Sequence, residues 1–232
     1  MEAIWIGVGI VVGIILLAII FSSASSENRK DYRPSKEPRP SFDQKEQIAF
    51  GKRGEDEVYE MISGLANEYG GYSYKNVAFK DERGHSTEID AILICRGGFF
   101  VIEVKSNKGI IHRNDNDDSW YAEKEEWQDD KDIRNPIKQN QGHINHLRRT
   151  AGNGFPYLTS LVIFPCANID LVRSETIHDL KSASSFIKER IAENKYKKET
   201  VDRFNEQFKT FMVRFGISNE EHVKNIRNKH QA

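Results

Sequence analysis

The sequence predicts an α/β protein in which helices flank one mixed β-sheet. The first observation is the order of the hydrophobic patterns, which runs helix, three strands, hairpin, helix, strand and helices from residue 41 onward. The second is their spacing, because helical segments repeat their apolar residues every three or four positions, whereas strand runs alternate or are wholly apolar. A third is a charge-free apolar stretch at residues 3–21, which predicts one N-terminal transmembrane helix before the domain.

The apolar stretch at residues 3–21 contains 19 residues. At about 1.5 Å per residue it spans roughly the thickness of a bilayer hydrocarbon core. The alternative is a cleaved secretory signal with its cleavage site at Ser22–Ala24, but such a signal calls for a basic start and a shorter apolar core. The acidic Glu2 therefore favours a retained membrane helix. Gly9 and Gly13 form a GxxxG pattern through which two such helices could pair as a homodimer.

Positive charge flanks this stretch on its C-terminal side alone, where residues 29–39 contain five Lys and Arg residues. The positive-inside rule then predicts a single-pass protein of the cell membrane, with its N-terminus outside and its C-terminal domain in the cytoplasm. Residues 22–40, rich in Ser, Pro, Lys and Arg, are predicted to form a juxtamembrane linker. Cys95 and Cys166 lie in apolar runs and are interpreted as reduced core thiols, in agreement with this location.

The formal net charge of the chain is −1, and Glu2 accounts for it, so the charges of residues 22–232 sum to zero. A domain that holds duplex nucleic acid by general electrostatics usually carries a basic excess. The composition therefore weighs against a high-affinity, sequence-independent duplex binder. Any contact with nucleic acid must use local patches and a metal ion.

The predicted helices and strands follow from the hydrophobic pattern. Apolar residues at helical spacing predict a first helix from Ser41 to about Gly70, and Glu55 shares the inward face of that helix. The remaining predicted elements are strands at 72–79, 87–95 and 99–105, a hairpin of 110–113 and 120–123, a helix opened by Asn135-Pro136, a buried strand at 157–165, and helices at about 174–193 and 200–215.

Two successive strands carry charged side chains within runs that are otherwise typical of buried strands: Asp90 in the first, Glu103 and Lys105 in the second. A buried carboxylate is costly unless it is paired or binds a cation. The short turn at 96–98 makes the strands antiparallel neighbours and brings both carboxylates near the same end of the hairpin. Two carboxylates with a backbone carbonyl suit Mg²⁺ or Mn²⁺, and a lysine beside them could orient a metal-bound water. A buried salt-bridge network without chemistry is the alternative.

Five sequence pieces, in order, resemble the NERD (nuclease-related) domain of the PD-(D/E)XK nuclease superfamily. They are Gly51-Lys52-Arg53-Gly54-Glu55, Thr87-Glu88-Ile89-Asp90, Val101-Ile102-Glu103-Val104-Lys105-Ser106, Trp120 and Asn135-Pro136-Ile137-Lys138-Gln139, within about residues 45–165. The resemblance implies a PD-(D/E)XK nuclease-like mixed sheet flanked by helices, in which Asp90 and Glu103 bind the metal. It also implies that Lys105 is the catalytic lysine, and that Glu55 and Gln139 complete the site from flanking helices.

These observations predict a transmembrane helix at 3–21, a linker at 22–40, a NERD nuclease-like domain at 41–165, and a helical C-terminal extension at 166–232 that packs on the domain. The implied activity is Mg²⁺- or Mn²⁺-dependent hydrolysis of phosphodiester bonds in nucleic acid, with DNA favoured over RNA. The alternative is a catalytically silent NERD-fold scaffold or binding module at the cytoplasmic membrane face, because fold and function separate. His143 and His146 are interpreted as surface or structural residues.

Overall fold

The computed structural model describes residues 44–113, 118–124, 131–155 and 157–229. The predicted transmembrane helix, its Gly9 and Gly13, and the linker at 22–40 lie outside these residues. Within the described ranges, no helix combines the length and the apolar character needed to cross a membrane.

The described elements follow the predicted order, with one added strand in each of two places. The helices are α1 (Gln44–Tyr69), α2 (Pro136–Ala151), α3 (Leu180–Ala192), α4 (Lys198–Phe215) and α5 (Asn219–Lys229), with a 3-10 turn at Gly152–Gly154. The strands are β1 (Tyr72–Lys80), β2 (Ser86–Cys95), β3 (Gly98–Val104), β4 (Ile110–His112), β5 (Ser119–Glu123), β6 (Lys131–Arg134), β7 (Leu158–Ile163) and β8 (Ile177–His178).

Five of these strands form a mixed sheet in the order β1-β2-β3-β7-β8. β1, β2 and β3 are antiparallel neighbours, whereas β3, β7 and β8 run parallel to one another. The predicted mixed sheet with flanking helices is therefore confirmed. A second sheet, in the order β4-β5-β6, extends the predicted hairpin by one strand.

Helices cover both faces of the main sheet because successive side chains of its strands point to opposite sides. Phe100 and Ile102 of β3 pack with α1 and α3, while Phe99 and Val101 pack with α2 and α4. The inner face of the second sheet, which includes the fully buried Trp120, packs against residues of β7 and β8 in a third cluster. Layers on each side thus bury β3, the strand that carries Glu103.

Local capping interactions, which the sequence predicts, fix the start of α2. The Asn135 side chain accepts hydrogen bonds from the backbone N–H groups of Ile137 and Lys138, and Pro136 occupies the first turn, where its missing N–H is not needed. The buried Asn140 then donates from Nδ2 to the Val101 carbonyl oxygen at 2.9 Å. The cap and this anchor fix the position of α2 against β3.

The predicted helix at about 174–193 begins too early and is corrected by the structure. Residues Ile177–His178 instead form β8, which pairs with the edge of β7. Asp179 then caps α3 through a reciprocal pair of hydrogen bonds with Ser182, so the helix cannot extend further toward the N-terminus. The sequence pattern does not reveal this two-residue strand, because only its pairing with β7 defines it.

An irregularity interrupts β1 and β2 beside the charged residues. Asn76 and Asp90 face each other outside the ladder, although pairing continues on both sides of them, through Lys75–Ala91 and Val77–Ile89. Asn76 has a φ of 51°, in the left-handed region that Asn tolerates better than most residues.

The irregularity also shifts the alternation of side chains along β2. Ala91 packs on the α1 side of the sheet and Ile92 on the α2 side, as regular alternation requires. Ile89, three residues before Ile92, packs on the α2 side as well. The shift falls at Asp90, which therefore lies where the strand changes the face that it presents.

The left-handed backbone at Asn76 predicts a specific ranking of substitutions. Asn76→Val should lower the free energy of unfolding by about 1–2 kcal/mol relative to Asn76→Gly, because a left-handed φ costs a residue with a Cβ roughly that much and suits a β-branched residue least. Chemical unfolding followed by circular dichroism measures the difference. Ser73→Val, at a regular position of the same strand, should leave stability nearly unchanged. Equal losses for valine and glycine at Asn76 would contradict the assignment.

Candidate active site

The two carboxylates lie where β2 and β3 separate. The ladder between these strands ends at the pair Ala91–Ile102, and Asp90 and Glu103 are the next residues beyond it. The Asp90 Oδ2 atom accepts a hydrogen bond of 2.7 Å from the backbone N–H of Val104. The Asp90 side chain thus replaces the backbone acceptor that the neighbouring strand would supply. Both carboxylates lie at one end of the hairpin, as the turn at 96–98 predicts.

Glu103 is the most deeply buried charged group of the site, with 2% of its surface exposed. Its Oε1 atom lies 2.7 Å from the Lys105 Nζ atom, which projects from the same face of the strand. Lys105 Nζ also donates a hydrogen bond of 3.0 Å to Gln139 Oε1 on α2. The structure therefore joins three of the predicted site residues in one network.

His143 belongs to the same network and is 15% exposed, so of the two interpretations, surface or structural, the structure supports the second. Its Nε2 atom lies 3.3 Å from Glu103 Oε2, and its Nδ1 atom lies 2.7 Å from Thr87 Oγ1. The geometry at Glu103 Oε2 does not make a hydrogen bond, so this buried oxygen has a charge contact but no hydrogen-bond partner. The available signal was spacing, because His143 follows Gln139 by one helical turn and shares its face.

His146 lies away from this network and fits the structural interpretation. It is 8% exposed, its ring packs against Phe79 with centroids 5.1 Å apart, and its Nε2 atom lies 3.6 Å from Asp81 Oδ2.

The two neighbouring carboxyl groups have opposite pKa shifts. Burial, and then the negative charge of Glu103, raise the pKa of Asp90 to about 8. Burial alone would raise the pKa of Glu103 as well, but the contacts with His143 and Lys105 outweigh it and hold that pKa below its usual range. At neutral pH, Glu103 is therefore ionised and Asp90 keeps its proton.

Glu55 lies at the edge of the site on α1. It is half-buried, and burial raises its pKa, with Lys75 acting in the opposite direction and Glu88 in the same one. Its charge contributes to the raised pKa of Asp90, which places it within electrostatic reach. Among the described residues it forms no hydrogen bond or ion pair with Lys105 or either carboxylate. The structure thus brings four predicted site residues together and places Glu55 beside them.

The donor groups fit a divalent cation. Glu103 Oε2 is a buried oxygen without a hydrogen-bond partner, and Asp90 keeps a proton that a cation beside it would displace. In the part of the chain that the structure describes, no group of three or more His, Cys, Asp or Glu residues has the arrangement of a metal site. Mg²⁺ commonly binds through one or two carboxylates together with waters and substrate phosphates. Asp90 and Glu103 match that type of site.

The fold and these charges define the class of protein. A mixed sheet flanked by helices presents an aspartate and a Glu-x-Lys sequence on adjacent strands, with a glutamine from a packed helix, and this arrangement fits a nuclease-like domain. The chain belongs to the NERD (nuclease-related domain) family, whose model matches residues 50–165. NERD domains belong to the PD-(D/E)XK kind of nuclease fold, so the resemblance to that superfamily is confirmed as well.

Two further comparisons found proteins with some similarity to the chain. An uncharacterized protein of Bacillus anthracis is 30% identical over 127 residues, which cover 53% of this chain and 56% of that protein. The chain therefore spans about half the length of this curated relative. The crystal structure of a protein of unknown function aligns with 67% of this chain and 98% of its own, at 11% identity and a TM-score of 0.28.

The raised pKa of Asp90 predicts a pH-dependent effect of its replacement. Folded Asp90 holds its proton up to about pH 8, whereas in the unfolded chain it ionises near its ordinary value of 3.8. Its contribution to stability is complete below pH 3.8 and is lost as pH rises toward 8. Asp90→Asn should therefore become more stable than the unaltered protein as pH rises through this range. Urea unfolding in EDTA at several pH values measures the difference.

Asp56→Asn is the control for the opposite sign. Hydrogen bonds from Lys75 and Lys52 lower the pKa of Asp56, so its stabilising contribution is present above its unfolded pKa and is lost in acid. This variant should be less stable near pH 7 and indistinguishable from the unaltered protein at low pH. A stability difference for Asp90→Asn that does not vary between about pH 4 and pH 8 would show that Asp90 ionises normally.

Proposed function

We propose that this chain is a membrane-anchored nuclease that hydrolyses phosphodiester bonds in nucleic acid with Mg²⁺ or Mn²⁺. The observation that carries the proposal is the buried Glu103, with one oxygen on Lys105 and the other without a hydrogen-bond partner, beside Asp90 in a domain of the NERD family. DNA is the favoured substrate.

Each residue has a distinct task in this proposal. Asp90 and Glu103 would hold the divalent ion, which would supply Lewis-acid stabilisation of the phosphoryl group and activation of water. Lys105 places its ammonium group beside Glu103, where it offsets negative charge that develops on the phosphoryl oxygens. Gln139 is a positioning residue. Its amide oxygen accepts a hydrogen bond from one N–H of the Lys105 ammonium group, which leaves the other N–H groups for Glu103 and the substrate.

His143 and Glu55 support this arrangement from the two helices. The His143 ring is held by Thr87 on one side and contacts Glu103 on the other, so it fixes the direction of that carboxylate. Glu55 has a raised pKa, which brings it closer to the range in which a carboxyl group exchanges protons at neutral pH. It is therefore suited to accept a proton from water that enters beside Asp90.

The membrane assignment rests on residues 3–21, their acidic start and the basic residues that follow them. In this proposal the nuclease domain lies on the cytoplasmic face of the cell membrane, and Gly9 and Gly13 allow two anchors to pair.

A catalytically silent scaffold is the second candidate function. The observation in its favour is that Lys105 already pairs with one oxygen of Glu103 and donates a hydrogen bond to Gln139, as a member of a structural network does. In that case the NERD fold would bind a protein or nucleic acid at the membrane without cleavage.

A cleavage assay separates these functions. The full chain is incubated with single-stranded, duplex and branched DNA and with RNA, in Mg²⁺, Mn²⁺ or EDTA. We expect metal-dependent cleavage that Asp90→Asn and Glu103→Gln abolish. Lys105→Ala should reduce the rate by about 100- to 1,000-fold, the usual loss on removing a group that stabilises developing charge.

The matched control is Glu60→Gln, which removes an exposed carboxylate from the same helix that carries Glu55 and should leave the rate unchanged. Cleavage that survives in all three site variants would identify a contaminating nuclease. No cleavage of any substrate, together with no rise in melting temperature on adding metal, would favour the scaffold.

The topology has its own test. A reporter that is active only in the cytoplasm, fused after Ala232, should be active, because the basic residues at 29–39 keep the domain on the cytoplasmic side. Replacing those five residues with Gln should reduce that activity. Activity of a reporter that works only outside the cell would contradict the orientation.

A further inference from the structure

Two exposed cations surround Phe50 beside the candidate active site. The Lys108 Nζ atom lies 4.6 Å from the centre of the Phe50 ring, and the guanidinium carbon of Arg53 lies 5.7 Å from it. Within the described ranges, neither cation forms an ion pair with a carboxylate. We call Phe50, Arg53 and Lys108 the basic group.

The basic group adjoins the segment that follows Lys105. The Ser106 Oγ atom donates a hydrogen bond of 3.1 Å to the carbonyl oxygen of Gly51, in the turn of α1 that carries Arg53. Gly54 packs so closely on Ser106 that a Cβ at this position would collide with the serine hydroxyl. The first described turns of α1 are therefore packed directly on the chain next to Lys105, which places the basic group beside the candidate site.

Further positive charge lies on the second sheet next to Lys108. Burial lowers the pKa of Lys124, and the positive charges of Lys131 and Lys108 lower it further, which places these three lysines within electrostatic reach of one another. Gly109 packs against the backbone of Glu123 and Lys124, so the loop after Lys105 is held against this sheet.

We propose that the basic group binds the backbone phosphates of a nucleic-acid strand on its way to Glu103 and Lys105. This inference rests on the proposed function, because it names how that site would hold its substrate. The Phe50 ring is half-buried and lies within cation–π distance of Arg53 and Lys108, so it holds cations and is not an open platform for base stacking. Contacts of this kind fix the position of a strand and read no sequence.

The inference also accounts for a difficulty that the composition raises. Residues 22–232 have no net positive charge, so general attraction to nucleic acid is weak. A local group of cations on the approach to the site supplies attraction where the substrate needs it. Binding should therefore depend on a few identifiable residues and not on the overall charge.

Binding in EDTA, where cleavage is prevented, tests the proposal. The full chain is titrated against short fluorescein-labelled single-stranded DNA, duplex DNA and RNA, with fluorescence anisotropy recorded over a range of salt concentrations. Arg53→Gln/Lys108→Gln should weaken binding severalfold and lower the slope of log affinity against log salt by about 1.4 for a single strand, at about 0.7 per lost phosphate contact.

The matched control is Lys52→Gln/Lys188→Gln, which removes the same charge from two other exposed lysines, one of them adjacent to Arg53. It should leave affinity and slope nearly unchanged. Equal weakening by both double variants would overturn the proposal in favour of general electrostatics. Vesicles that contain anionic lipid form a second arm, and basic-group-dependent binding to vesicles with none to oligonucleotides would assign the group to a membrane surface.

The outcomes distinguish this inference from the proposed nuclease function. Oligonucleotide binding that depends on Arg53 and Lys108, in a protein that never cleaves, would support the inference and refute the nuclease. Cleavage that requires Asp90 and Glu103, with binding unaffected by Arg53→Gln/Lys108→Gln, would support the nuclease and overturn the inference.

Discussion

The buried negative charge of Glu103 is the constraint on which the rest of the site depends. A carboxylate with 2% of its surface exposed, in the middle of an apolar sheet, is costly to desolvate unless other groups offset its charge. Lys105 offsets it from the same strand, and His143 from α2. The second contact exists only because α2 docks on β3 through its Asn135 cap and the buried Asn140. Helix docking and charge compensation are thus one structural requirement.

The separation of β2 from β3 serves the same requirement. If the ladder continued past Ala91–Ile102, backbone groups would occupy the space in which Asp90 meets Val104. The left-handed Asn76, opposite Asp90, interrupts the ladder between β1 and β2 at this point. The result is a second carboxyl group whose pKa is raised to about 8 by burial and then by the negative charge of Glu103. A distortion that costs stability therefore creates the pair of carboxylates that a divalent cation would bind.

The sequence predicted what local rules determine and missed what tertiary contacts determine. The turn at 96–98 was enough to place Asp90 beside Glu103, and Asn135-Pro136 was enough to place Gln139 on a helix. The strand β6 was not predicted because only one of its four residues is buried, so its sequence shows no alternation of apolar and polar residues. The strand β8 was not predicted because two residues are too few to show a hydrophobic period. Its pairing with β7 is also a long-range contact. His143 was visible by its spacing from Gln139, but its contact with Glu103 required the docked helix.

Charge distribution links the carboxylate pair to the basic group. A phosphodiester carries negative charge, so Asp90 and Glu103 repel it once Asp90 has lost its proton. Lys105 cannot offset this repulsion alone, because Glu103 and Gln139 already engage its ammonium group. A divalent cation would reverse the local sign at the carboxylates, and Arg53 and Lys108 would attract the strand on its approach to them. In a domain without net charge the two contributions would complement each other, because the cation would bind at one point and the basic group would bring the strand to it.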